Sequence, residues 1–162
     1  MSGMDTEKLT SKASASTVAV SWMLVAACAG FIFFMSSNTD TGLGNDLGIM
    51  STVFQYLKAI QTQVLGPDAD IVSSLGHFGE YLALGVLLAN ALHWHMPLGR
   101  ACFIAVACAS MYGVSDELHQ LFVPGRMCDP VDWLVDTVGA SLGSGLVYMV
   151  VKKRKTISRS EK

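Results

Sequence analysis

Charge is what this sequence has least of. Only 15% of its 162 residues are Asp, Glu, Lys or Arg, against roughly 25% in soluble globular domains. Basic residues do not outnumber acidic ones, at 11 against 13, so outside the C-terminal tail there is no cationic surface to support nucleic-acid binding. Cysteine is scarce: the four thiols include no CxxC pair, which excludes a zinc ribbon, and three of them lie in apolar stretches, which argues against a disulfide framework. No HExxH, nucleophile elbow or paired-histidine motif occurs. There is no internal repeat and no low-complexity segment beyond the basic tail.

The missing charge is concentrated in four apolar windows. Residues 18–35, 101–114 and 137–151 carry none, and 81–99 has only two histidines, near its end. A helix crossing ~30 Å of hydrocarbon needs roughly 20 mainly apolar residues, and each window reaches that length by borrowing from its flanks. The fold class expected is all-α, an integral membrane bundle of four transmembrane helices over about 17–35, 73–94, 101–121 and 130–151. The first apolar run exceeds the 7–15 residues of a signal-peptide core, so it reads as a retained span. Residues 1–16 form a short N-terminal segment, 17–151 the membrane domain and 152–162 a basic tail.

The connections differ in character. Residues 36–49 are turn-rich, with Asn38, Gly42, Gly44, Asn45 and Gly48 as breakers. In 51–65, Val53, Phe54, Leu57, Ile60 and Val64 recur at helical spacing while Gln55, Lys58, Gln61 and Gln63 take the other side. That segment is too polar to span and suits a helix lying in the membrane interface, ended by Gly66-Pro67. Ser73 or Ser74 would cap the second span. Ala26 and Gly30 offer a small face on the first.

Orientation follows from the bases. The loops joining spans one to two and three to four, with their helix flanks, hold two bases against ten acids, whereas the termini and the middle linker hold nine bases against three acids. Lysine and arginine stay on the cytoplasmic side. Both termini should therefore be cytoplasmic, in a multi-pass membrane protein, with the acid-rich connections on the extracytoplasmic side.

One acid-rich stretch, SDELHQLFVPGRMCDPVDWLVD over 115–136, lies between the last two charge-free windows. Pro124-Gly125 makes its turn. Asp129 caps the last helix, Pro130 takes its first position, and Asp132 complements the positive end of its dipole. Asp116 and His119 face water or headgroups, and Arg126 neutralises carboxylates. His77 and Tyr81 share a face of the second span, with Glu80 beside them. Glu117 and Gln120 sit three apart on the third, with Gly113 a turn away. Asp132, Asp136, Gly139 and Gly143 form one stripe on the fourth, acid above and glycine below, where the GxxxG step allows close helix approach. Ionisable groups on three helices at one membrane depth point to a shared site.

The segments LGHFGEYLALGVLL, SDELHQLFVPGR and DWLVDTVGASLG, in that order and spacing, resemble the VanZ-like family of small bacterial membrane proteins over residues 75–143. His77, Tyr81, Glu117, Gln120, Arg126, Asp132, Asp136 and Gly139 match the family's pattern. The resemblance implies a cell-envelope protein, multi-pass in the bacterial cytoplasmic membrane. It also implies a link to glycopeptide resistance of the teicoplanin type, through the member that gave the family its name.

Three function classes are compatible with these residues. The first is an envelope protein whose extracytoplasmic polar pocket takes an envelope lipid, a cell-wall precursor or a glycopeptide-like ligand. The second is an intramembrane hydrolase or transferase using the His/Glu/Asp cluster, with Glu117 or His77 as general base. The third is a small proton-coupled transporter, for which a homo-oligomer would double the spans. The bilayer is the common partner, and no cofactor is required. A metal held by His77, Glu117 and Asp132 is the secondary option.

Overall fold

The computed structural model describes residues 14–37, 49–66, 71–124, 126 and 128–160, without the side chains of 49–51, 158 and 159. The expected N-terminal segment, the breaker-rich loop and Gly125 of the turn lie wholly or mainly outside these residues. Five helices make up the described chain: α1 (Ala15–Ser36), α2 (Ile49–Leu65), α3 (Ile71–Leu92), α4 (Leu98–Gln120) and α5 (Pro130–Ser160). All but α2 are long and apolar enough to cross a membrane. Their outward surfaces carry Met23, Phe33, Phe103, Met111, Leu134 and Met149 exposed, which suits lipid and would be costly in water.

Helix α3 is the hub, packing on all four others. Its closest partner is α5, which runs parallel to it because glycine lets the two backbones meet. A Cβ added at Gly139 would lie 2.6 Å from the Phe78 carbonyl oxygen, and one at Gly143 would overlap the Leu82 carbonyl oxygen. Helices α1 and α4 run the opposite way. Their contacts are pinned by small polar groups, the usual glue between helices in lipid. Trp133 Nε1 donates to the Ser110 carbonyl at 3.2 Å, Ser144 Oγ donates to the Cys102 carbonyl at 3.0 Å, and Tyr112 Oη donates to the Ala29 carbonyl at 2.7 Å. One end of the bundle thus gathers the starts of α3 and α5 and the finishes of α1 and α4.

Several boundaries differ from the sequence expectation. Helix α3 begins at Ile71, so Ser73 and Ser74 lie inside it rather than capping it. The cap comes from another helix, because Gln61 Oε1 of α2 accepts Val72 N–H at 2.7 Å. Helix α5 continues past Val151 to Ser160, since the lysines and arginines that follow are good helix formers with no glycine or proline among them. Gly66 does end α2, with φ +93°, the left-handed value glycine adopts without strain. Ala26 and Gly30 are exposed, and no described atom lies within 4 Å of a Cβ built at Gly30. The inward face of α2 is Phe54, Lys58 and Gln61, while Val53, Leu57, Ile60 and Val64 point away from the bundle. An outward apolar stripe on a helix with a polar opposite face fits the interfacial placement.

Candidate functional site

Most of the buried polar residues collect at the end where α3 and α5 begin. His77 and Tyr81 come from α3, Asp116, Glu117 and Gln120 from α4, and Asp136 from α5; all are buried. His77 Nδ1 lies 3.3 Å from Asp136 Oδ1, an ion-pair distance without the alignment of a hydrogen bond. Glu117 Oε2 accepts the Asp129 backbone N–H at 2.7 Å, which ties the carboxylate to the start of α5. Its other oxygen, Oε1, is buried without a hydrogen-bond partner, as are both Asp136 oxygens, Asp116 Oδ2 and the Tyr81 hydroxyl. Gly113 lies beneath this group. A Cβ there would stand 3.3 Å from Asp136 Oδ2 and 3.5 Å from the Tyr81 ring.

Some expected site residues sit at its edge. Asp132 is not one of the trio: it accepts Ser74 Oγ at 3.1 Å, one turn from the His77–Asp136 contact. Among the described residues, the group able to hold a metal ion is His77, Glu117 and Asp136, whose ligand atoms lie within 4.8 Å of one another. Asp136 therefore takes the place expected for Asp132. Gln120 Nε2 donates to Ser36 Oγ at 3.3 Å and ties α4 to the end of α1. Asp129 caps α5, accepting the Val131 N–H at 2.8 Å. His119 packs on Phe33, with ring centroids 4.6 Å apart.

Asp116 departs most from expectation. Its place beside a loop predicts a side chain facing water or headgroups, yet it is 4% exposed. Its position follows from the small-residue row Ala101, Ala105, Ala109 and Gly113, the inward face of α4. Asp116 lies three residues beyond Gly113 and four before Gln120, on that same face.

A cavity of about 50 Å³ opens beside His77, lined by Met35, Ser36, Phe54, Ser73, Gly76, His77, Glu80 and Arg126. It is bounded by the end of α1, by α2 and by α3. Ser36 and Ser73 line it; the sequence offered Ser73 only as a helix cap and did not single out Ser36. Ser73 lies four residues before His77, and that spacing alone could have placed it on the cavity face.

Fold and site together define a small multi-pass membrane protein with an ionisable cluster at one end of a four-span bundle. The VanZ/LLP1 family model matches residues 21–152, most of the chain and every residue of the cluster. The chain belongs to the VanZ/LLP1 family. No curated protein and no solved structure matches it.

Proposed function

We propose that this protein acts in the bacterial cell envelope, and that its cavity receives the phosphate-bearing headgroup of an envelope lipid or lipid-linked cell-wall precursor from the extracytoplasmic side. The observation that carries this is the cavity beside His77, with Arg126 and Glu80 in its wall. Arginine suits phosphate oxygens, and Glu80 can accept from a headgroup hydroxyl or ammonium. A volume of about 50 Å³ holds a single polar group and a few waters, well short of the roughly 300–1,000 Å³ of a drug-sized pocket. A part in glycopeptide resistance would therefore run through an envelope component rather than through enclosing the drug.

Native mass spectrometry of the protein with undecaprenyl phosphate, phosphatidylglycerol and uncharged diacylglycerol tests the reading. The two phosphate lipids should be retained over diacylglycerol. Arg126→Ala should weaken their retention by about tenfold or more, as expected for losing a charge-assisted contact, and Arg126→Lys should restore only part of it. Equal retention of all three lipids would reject the proposal.

The apposition of His77 and Asp136 favours a second reading, hydrolysis or transfer of the bound phosphoester with His77 as proton acceptor. Slow hydrolysis, releasing phosphate from undecaprenyl phosphate or glycerol phosphate from phosphatidylglycerol and lost in His77→Ala, would select it over simple binding.

The bundle end that holds the cluster is assigned to the extracytoplasmic face on the positive-inside rule. In support, Arg100 starts α4 and Lys152, Lys153 and Arg154 lie toward the end of α5, both at the opposite end. Reporter fusions at Asn45 and Cys128 should read extracytoplasmic, and fusions at Gly99 and Lys162 cytoplasmic. A cytoplasmic reading at Cys128 would reverse the assignment.

A further inference from the structure

Three carboxylates are withdrawn from water in a small volume: Asp116, Glu117 and Asp136 are 4%, 3% and 0% exposed. Burying a carboxylate costs several kcal/mol unless something positive answers it. The ionisable group set directly against Asp136 is His77, and that contact has ion-pair distance without hydrogen-bond alignment. Glu117 Oε1 and both Asp136 oxygens are buried without hydrogen-bond partners, and a ligand atom from each of His77, Glu117 and Asp136 lies within 4.8 Å of the others. Ligand atoms bonded to one ion at roughly 2.0–2.2 Å stand at most about 4.4 Å apart, so side-chain shifts of a few tenths of an ångström bring atoms that lie within 4.8 Å of one another onto a single ion.

From this we infer that His77, Glu117 and Asp136 bind one divalent cation of the zinc or manganese class. One imidazole nitrogen and two carboxylates form a borderline-to-hard donor set that suits zinc, manganese or ferrous ion rather than a thiolate-seeking metal. Each ligand comes from a different helix, α3, α4 and α5, so the ion would also clamp the bundle at this end. The Asp129 N–H on Glu117 Oε2 holds that carboxylate so that Oε1 is the oxygen left for the metal, the kind of outer contact that fixes a metal ligand. Three protein ligands leave a coordination position for an outside oxygen, as in open zinc sites. The inference deepens the proposed headgroup site and rests on it through His77, which lines the cavity and belongs to the ligand set; a phosphate oxygen would reach the ion from the His77 side.

The experiment is metal loading of the full chain in lipid nanodiscs. Protein stripped with chelator is dialysed against Zn²⁺ or Mn²⁺ alone, and bound metal is measured by elemental mass spectrometry. About one ion per chain is expected for the native protein. Asp136→Asn and Glu117→Gln, which keep shape and remove charge, should each lower loading at a fixed free metal concentration by at least tenfold. Asp132→Asn, one turn away, should leave it unchanged. Circular dichroism confirms that each variant keeps its helices. As a second readout on the native protein, Co²⁺ should give visible absorption bands that added Zn²⁺ removes. Native loading below a tenth of an ion with both Zn²⁺ and Mn²⁺, without cobalt bands, overturns the inference. So does loading that falls in Asp132→Asn but not in Asp136→Asn. Retention of phosphate lipids by protein that takes up no metal would remove the ion and leave the headgroup reading standing, whereas metal loading without lipid retention would do the reverse.

Discussion

Replacing His77 with alanine is expected to destabilise the metal-free protein by about 3–5 kcal/mol, the usual cost of removing one partner from a buried ion pair. The histidine side chain is 7% exposed and its partner Asp136 is 0% exposed. Alanine would leave the Asp136 carboxylate in the bundle interior with Glu117 and Asp116 nearby and no imidazole to answer it. The carboxylate must then take up a proton or open the helix interface to water, and both cost free energy. Asp136→Leu in the same chain removes the stranded charge and fills the space with apolar volume. The double variant His77→Ala/Asp136→Leu should therefore recover at least half of the loss. Unfolding midpoints in detergent, with chelator present, compare both variants with the native chain. A double variant no more stable than His77→Ala would show that the loss comes from the vacated imidazole volume and not from the stranded carboxylate. The chelator makes the comparison independent of whether an ion binds.

The spans were legible because lipid demands long uncharged helices, and each uncharged window became one. That ionisable residues near the ends of three apolar runs would turn toward one another was legible too, and His77, Glu117 and Asp136 do so. The register between helices was not. Asp132 and Asp136 lie one helical turn apart on one stripe, about 5–6 Å along the axis, and either could have met His77. Docking of α5 on α3 decides between them. Gly139 and Gly143 seat against the backbone at Phe78 and Leu82, which sets Asp136 opposite His77 and leaves Asp132 opposite Ser74. A GxxxG step announces that some helix comes close, but not which row of that helix it meets. Capping by Gln61 was hidden for a similar reason: the sequence shows local acceptors such as Ser73 and Ser74, and the acceptor came from another helix. Asp116 was legible in principle, through the alanine and glycine row it extends along α4, but its place beside a loop favoured an outward reading.

The same docking predicts the largest loss of folded protein. Gly143→Leu should prevent α3 and α5 from meeting as they do, because the first carbon of any side chain there would overlap the Leu82 carbonyl oxygen and come within 3.0 Å of the Val86 nitrogen. Overpacking of an ordinary core costs about 1–3 kcal/mol, because side chains can shift rotamers. Here the obstacle is backbone, so relief requires moving a whole helix, and the cost should exceed that range. Moving α5 away from α3 also separates Asp136 from His77 and Asp132 from Ser74, so the site would be lost with the packing. Gly145→Leu is the matched control on the same helix, since a Cβ there has no described atom within 4 Å; substitutions away from specific contacts usually change stability by no more than about 0.5 kcal/mol. Size-exclusion profiles and unfolding midpoints in detergent should show Gly145→Leu behaving as the native chain. Gly143→Leu should be aggregated or strongly destabilised, and Gly143→Ala should fall between them. If Gly143→Leu matched Gly145→Leu in both measurements, α3 and α5 would not be in backbone contact, and the register that brings Asp136 to His77 would fall with them.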